Sequence, residues 1–307
     1  MSYFVIFENV KKSFNNIKAL DNVSISISKG ELCAFLGPDG AGKSTFFRSL
    51  CGIIDVDDGN IILDGINLKN NKKEVQSKIG YLSQNFSLYT DLTVSENIDF
   101  FATIHNKFNY RKKKEELLRK LNLYDFRDRL AKNLSGGMKQ KLALICSLIY
   151  DPEILILDEP TNGVDPVSRR EFWNIIIEQN LNNQLTILIS TPYLDEAELA
   201  DTVVFMNKGK ILFYDSVTSA LNLFKIKILK IFAKNLVEFK DIIPENLPFI
   251  IYGDRIELEI KDENQIKELI ENFKLRFDNF EYEISNPSLE NIFVLLLKEE
   301  NNNYDKS

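Results

Sequence analysis

The run ELCAFLGPDGAGKSTFFRSLCG, residues 31–52, decides how the chain must fold. Glu31 to Leu36 is an apolar stretch of strand length, Lys43 to Leu50 has a helical pattern, and Gly52 supplies a helix terminator. Between them Gly37-Pro38-Asp39-Gly40-Ala41-Gly42-Lys43-Ser44-Thr45 fits the phosphate-binding pattern G-x-x-x-x-G-K-S/T in its required context of strand, loop and helix. The glycines allow backbone N–H groups to curl around a phosphate, and the helix N-terminus adds a favourable dipole. Lys43 is expected to reach the β- and γ-phosphates, and Ser44 to place its hydroxyl on Mg²⁺ with Thr45 alongside. Asp39 is unusual there, because a carboxylate near a triphosphate is unfavourable unless it points away, and that orientation is expected.

Outward from this stretch, Tyr3 to Val10 and Val23 to Ile27 alternate apolar and polar residues with period two and read as strands. Asp57-Asp58-Gly59 reads as a turn between strands, with Ile61 to Leu63 continuing the sheet. Arg111 to Leu121 reads as an amphipathic helix within a helical stretch reaching Asn133, its basic run Arg111 to Lys114 a solvated face. The apolar strand Ile154 to Leu157, a helix around Arg169 to Gln179 and the apolar strand Thr186 to Ile189 complete a pattern of buried strands alternating with helices. That pattern predicts a largely parallel sheet covered on both faces.

The pattern changes near Tyr214 to Leu223. Lys225 to Ile231 alternates like a strand, Phe249 to Ile260 reads as a hairpin turning at Gly253-Asp254, and Ile266, Leu269, Ile270 and Phe273 mark one helix face. Phe280 to Ile284 alternates again, and Asn286-Pro287 reads as a helix cap with proline at the first helical position. The expected organisation is α/β: a large domain over 1–219 with a mixed sheet and a helical subdomain at about 86–150, a small α/β domain over 220–300, and a disordered tail at 301–307.

Composition narrows the function classes. The 307 residues are 44% hydrophobic, which excludes disorder of the whole chain. Lys and Arg total 38 against 45 Asp and Glu, a net charge of −7, so no global positive field draws nucleic acid, and none is expected as a partner. Apolar stretches such as Ile154 to Leu157 and Ile292 to Leu297 fall short of the roughly 20 residues that span a bilayer. Met1-Ser2-Tyr3-Phe4 lacks the features of a secretory signal, so a cytoplasmic location is expected. Cys33, Cys51 and Cys146 stand far apart in apolar surroundings, as buried reduced thiols do.

Further motifs specify the class. Leu134-Ser135-Gly136-Gly137-Met138-Lys139-Gln140 resembles the ABC signature L-S-G-G-x-x-Q, and Ile154 to Pro160 resembles a Walker B strand, with Asp158 and Glu159 at its end. Two adjacent acids at a strand end are costly without a cation. Gln84 resembles the Q-loop glutamine and Asn162-Gly163-Val164-Asp165-Pro166 the D-loop. Phe14, about 23 residues before Gly37, stands at the place of the aromatic that stacks on adenine. Over about residues 3–219 the chain resembles ABC transporter ATP-binding subunits. Residues 158–166, 193–198 and 286–293 look like the multidrug and daunorubicin-resistance exporter group.

This resemblance implies a subunit that binds and hydrolyses ATP in a head-to-tail dimer, with Asp158 and Gln84 at Mg²⁺ and Glu159 polarising the attacking water. Ser135, Gly136 and Gly137 would donate to the γ-phosphate bound on the opposite subunit. It implies a transmembrane permease on a separate chain, docked around Asn85 to Ile104, a second ABC ATPase subunit, and a peripheral place on the inner face of the cell membrane. One departure stands out. The family's γ-phosphate histidine is replaced by Pro192 in Ser190-Thr191-Pro192-Tyr193, and proline lacks both a side-chain donor and an N–H. The only histidine, His105, lies elsewhere and reads as structural or surface-exposed. Slow hydrolysis at the chain's own site, within a heterodimer, is one reading of Pro192. Sufficiency of Thr191, Tyr193, or Glu159 with Lys43 is the other. A regulatory subunit and a non-transport ABC ATPase are the alternatives in function. About 90 residues between Ser44 and Ser135 leave no room for the coiled coils of chromosome-associated ABC ATPases, and one cassette is fewer than the two usual in ABC translation factors.

Overall fold

The computed structural model describes residues 3–84, 88–240, 242–244, 247–277 and 279–304. The chain divides into two compact units, 1–217 and 218–307.

The first unit opens with two long strands, β1 (Tyr3–Phe14) and β2 (Ile17–Ser28), paired as an antiparallel hairpin. β3 (Leu32–Leu36) is buried at every position and runs through the glycine loop into α1 (Lys43–Leu50). β4 (Asp58–Leu63), β5 (Ile66–Asn67), α2 (Lys72–Ser77) and β6 (Ile79–Leu82) follow. A helical region comes next, with α3 (Val94–Ile104), α4 (Arg111–Lys120) and α5 (Gly136–Leu148). The unit closes with β7 (Ile154–Asp158), α6 (Pro166–Asn183), β8 (Thr186–Ser190), α7 (Leu194–Ala197), β9 (Thr202–Asn207) and β10 (Lys210–Ser216). Two sheets result. The antiparallel one has the order β2-β1-β4-β5, and the mixed one β10-β9-β3-β8-β7-β6, parallel throughout except for β9–β10.

α1 joins the two sheets. Phe46, Phe47 and Leu50 have no exposed surface. The Phe46 ring stacks on Phe7 of β1 at 4.0 Å and lies 4.8 Å from Phe35 of β3, which in turn meets Phe47 edge-on at 5.0 Å. The helix that carries Lys43 and Ser44 is thus clamped by aromatic contacts from both sheets.

Several expectations are corrected. Asp57-Asp58-Gly59 is not a turn between strands: β4 begins at Asp58, which pairs with Lys11 of β1, and the Asp57 carboxylate accepts from the Ser13 N–H at 2.7 Å. These carboxylates latch β4 to β1. The turn comes after β4, where Asp64 and Gly65 both have positive φ. The helical stretch breaks after Lys120, where Asn122 adopts φ 56°, and only short 3₁₀ turns (Tyr124–Phe126 and Ala131–Asn133) follow. The basic run is not wholly solvated: Lys114 bonds Asp99 and Ser95 of α3 at 2.6 Å each, and Lys113 bonds Asp151 and the Leu148 carbonyl, docking α4 on its neighbours. All three cysteines are buried and free, and burial pushes each thiol up, away from reactive thiolate.

The second unit comprises α8 (Val217–Leu221), which begins at the boundary, β11 (Lys227–Phe232), α9 (Leu236–Lys240), β12 (Phe249–Ile251), β13 (Arg255–Ile260), α10 (Glu263–Lys274), β14 (Glu281–Ser285) and α11 (Leu289–Tyr304). Its antiparallel sheet has the order β12-β13-β11-β14. Ile266, Leu269, Ile270 and Phe273 of α10 bury against Leu229, Ile231, Ile256 and Leu258. Asn286 does not cap α11. Ser288 does, its Oγ accepting from the Asn291 N–H while the Asn291 side chain accepts from the Ser288 N–H. Residues 301–304 of the expected disordered tail continue this helix, and 305–307 lie outside the described residues.

Because Phe46 fills the space between two sheets, Phe46→Ala should cost about 3–5 kcal/mol of stability. Urea unfolding of the first unit's core, followed by the fluorescence of buried Trp173, measures it.

Candidate functional site

The glycine loop sits at the C-terminal end of β3, where parallel sheets place their ligands. Its path depends on close backbone approach: a Cβ on Gly42, which has φ 110°, would stand 2.4 Å from the Ala19 carbonyl oxygen, and one on Gly37 would stand 2.3 Å from that of Met206. The Ala41 N–H bonds the Pro38 carbonyl at 3.1 Å, and the Ala41 carbonyl accepts from the Gly209 N–H at 2.9 Å. A cavity of about 440 Å³ lies over the loop, lined by Asp39, Gly40, Ala41, Gly42, Lys43, Ser44 and Thr45 with Gln84, Glu159, Ile17 and Ala19.

Lys43 is 7% exposed, and its ammonium donates to the carbonyls of Gly37 at 2.6 Å and Pro38 at 3.1 Å. Burial lowers its pKa, opposed by the charges of Glu159, Asp39 and Asp158. Asp39, expected to point away, is exposed yet lines the cavity, and its charge falls on Lys43.

Opposite the loop, β7 is buried along its whole length and ends in Asp158, which has no exposed surface. Its Oδ1 accepts from the Ser44 hydroxyl at 3.1 Å and from the Ser190 hydroxyl at 2.8 Å; its Oδ2 is buried without a partner. An orphaned carboxylate oxygen beside a hydroxyl fits Mg²⁺, a hard cation that takes one or two protein oxygens and completes its shell with phosphate and water. Among the described residues no cluster of three or more His, Cys, Asp or Glu is placed to hold a metal ion.

Glu159 follows in a left-handed conformation, φ 50°, which costs on the order of 1–3 kcal/mol for such a residue. Its N–H donates to the Ser190 carbonyl at 3.1 Å and Oγ at 3.0 Å. Its carboxylate accepts from Gln84 Nε2 at 2.8 Å and lies 3.5 Å from Asn162 Nδ2. The backbone strain and these bonds together aim the carboxylate into the cavity.

Other expected residues stand apart. Phe14 does not line the cavity; it is 45% exposed at the tip of the β1–β2 hairpin, and its cross-strand partner Ile17 lines the wall. Ser135 caps α5, accepting from the Met138 N–H at 3.3 Å, and Ser135, Gly136 and Gly137 are not among the cavity's lining residues. Pro192 is exposed. Residues 85–87 of the expected docking segment lie outside the described residues. A larger cavity of about 540 Å³, at the opposite ends of the strands, carries Lys29, Lys113, Asp151 and Glu153, whose charges pair with one another, and no glycine loop.

Comparison with known proteins agrees with this geometry. The ABC transporter family model matches residues 20–162. The "Probable multidrug ABC transporter ATP-binding protein YbhF" of Escherichia coli is 36% identical over 67% of this chain, which spans only 36% of that relative's length. The "Probable sulfate/thiosulfate import ATP-binding protein CysA" of Chlorella vulgaris is 36% identical over 68% of this chain and 89% of its own length. A dimeric post-hydrolysis structure of the ATP-binding cassette MJ0796 bound to ADP and Pi superposes with a TM-score of 0.63 at 25% identity, covering 69% of this chain and 98% of that one. The fold is that of a P-loop ATPase cassette, and the chain belongs to the ABC transporter ATP-binding family.

Sequence reasoning missed Ser190 and Ile17. Ser190 pairs directly with Asp158 across β7–β8, a register that no local motif announces. Because its hydroxyl orients the candidate cation ligand, Ser190→Ala should weaken Mg²⁺-dependent ATP binding by roughly 10-fold. Binding without Mg²⁺ should change little. Nucleotide titration with and without the cation reads the difference.

Proposed function

We propose that this chain binds and hydrolyses ATP and drives a membrane exporter, with Glu159 as general base. The observation that carries this is the convergence of Lys43, Ser44 and a doubly oriented Glu159 on one cavity, with the buried Asp158, one oxygen unpartnered, hydrogen-bonded to Ser44 directly behind it. Lys43 and the loop N–H groups would hold the phosphates, while Ser44 and Asp158, with Gln84 beside them, would hold Mg²⁺. When bound, that cation neutralises charge developing on the phosphoryl oxygens. Glu159 would accept a hydrogen bond from water in line with the γ-phosphate. Glu159→Gln should lower turnover by about 10²–10⁴-fold with ATP affinity retained; hydrolysis unchanged in this variant would refute the role.

Ser135, exposed at the N-terminus of α5, supports a dimer in which the signature of one subunit meets ATP on the other, a second ABC subunit being the partner. No helix among the described residues is long and apolar enough to cross a membrane. Membership of the ABC transporter family supports a transmembrane permease as partner and a peripheral place on the cytoplasmic side of the membrane. Export is favoured over import by the multidrug relative and by the exporter-like string at 286–293, although an import protein is equally similar in identity. Copurification of the chain with its membrane partner, followed by transport in vesicles of defined orientation, tests direction.

A second reading rests on Pro192, which leaves no donor where the family has histidine. On this reading the chain's own site hydrolyses slowly, and the subunit works with an unlike partner. Pro192→His should then raise the rate of the purified chain by about tenfold or more. An ordinary rate in the wild type, with no gain in the variant, would exclude it.

A further inference from the structure

Behind the cavity lies a buried carboxylate that the site described above does not use. Glu196, on α7, is 2% exposed. It accepts from the Thr161 hydroxyl at 2.8 and 3.0 Å and from the Thr191 hydroxyl at 2.5 Å, and Arg169 Nε lies 3.4 Å away. The Arg169 guanidinium stacks over the Tyr193 ring at 3.8 Å, and the Thr191 hydroxyl accepts from the Tyr193 N–H at 3.0 Å. One carboxylate therefore gathers three separate segments: the turn after β7, the start of α6, and the loop after β8.

Two of these segments carry the candidate catalytic geometry. Thr161 lies two residues beyond Glu159, in the turn closed by the Asn162 N–H to the Glu159 carbonyl at 3.3 Å. Thr191 directly follows Ser190, whose side chain holds both Asp158 and the Glu159 N–H. Between Thr191 and Tyr193 stands Pro192, exposed and without a donor, so that loop is held from its buried side.

We propose that Glu196 is a positioning residue for ATP hydrolysis, stapling the Glu159 turn to the 190–193 loop through the Thr161 and Thr191 hydroxyls. The proposal rests on Glu159 being the general base. A left-handed Glu159 has other backbone conformations available, and the staple restricts the turn to the one that aims its carboxylate at the cavity. The staple acts on the reacting geometry rather than on phosphate binding, since neither Glu196 nor either threonine lines the cavity.

The test is single-turnover hydrolysis of Mg²⁺-ATP by the full chain, with nucleotide affinity and thermal midpoint measured in parallel. Thr161→Val keeps the shape and removes the hydroxyl; Thr161→Ser keeps the hydroxyl and loses the methyl group. Thr161→Val should slow hydrolysis by about tenfold or more, with ATP affinity within about twofold of wild type, and Thr161→Ser should restore most of the rate. Glu196→Gln should share the defect of Thr161→Val, and combining the two should add little further loss. A wild-type rate in Thr161→Val, equal losses in the Val and Ser variants, or a loss of affinity matching the loss of rate would overturn the staple. Glu159→Gln is the reference: if it hydrolyses ATP as fast as wild type, the general-base assignment has failed, whereas an inactive Glu159→Gln beside an unimpaired Thr161→Val refutes the staple alone.

Discussion

A carboxylate with no exposed surface, at the end of a strand made only of apolar residues, is the constraint on which the rest of the first unit depends. Asp158 lies in a setting where an uncompensated charge is expensive. Ser44 and Ser190 supply donors to one oxygen, and the charge of Lys43 reaches the group from across the cavity. The other oxygen is left unpartnered. A strand that buries such a group gains nothing in stability from it, so the arrangement makes physical sense as one half of a cation site.

The fold serves that site by rigidity. The glycine loop has few side chains of its own to hold it, and its conformation is imposed by what lies beneath. Phe46 and Phe47 lock α1 between the two sheets, the Ala19 and Met206 carbonyls leave no room for side chains at Gly42 and Gly37, and the Gly209 N–H ties the loop to the β9–β10 connection. Phosphate-binding N–H groups are effective only if they need no reorganisation, and aromatic packing on one side with backbone contact on the other meets that demand. The strand that ends in Asp158 is fixed in a different way, by parallel pairing with β8, which brings Ser190 opposite Asp158.

What could be read in the sequence follows from this division. The glycine loop, the Asp158-Glu159 pair and the signature are contiguous, because each performs its chemistry with neighbouring backbone and side-chain groups. Period-two and helical patterns located most of the strands and α10, where burial of one face dictates residue choice. Ser190, Glu196 and Ile17 were not legible as site residues, since their roles exist only once β8 is in register with β7 and the hairpin folds over the loop. The misread turn at Asp57-Asp58-Gly59 has the same origin. Its residue types favour turns locally, but their carboxylates find Ser13, Lys12 and Lys11 across the sheet. Lys113 and Lys114 look like surface charges until Asp99 and Asp151 arrive from other elements. Tertiary partners overrode local propensity in each case.

Pro192 gains its meaning from those same long-range contacts. A proline could simply have left the loop after β8 loose, yet both its neighbours are engaged: Thr191 is buried on Glu196, and the Tyr193 ring lies under Arg169. The loop keeps a defined position, with a residue at its exposed tip that has no donor to offer a phosphate. Loss of a donor without loss of the scaffold is what the proposed asymmetric pairing requires. The exposed Ser135, whose hydroxyl caps α5 and whose helix N-terminus faces outward, remains able to serve ATP bound elsewhere. In the proposed dimer the Glu196 contacts would bear on hydrolysis at the chain's own cavity, and the signature on hydrolysis at a partner's. The two halves of the cassette are therefore open to separate change, and Pro192 falls entirely within the first.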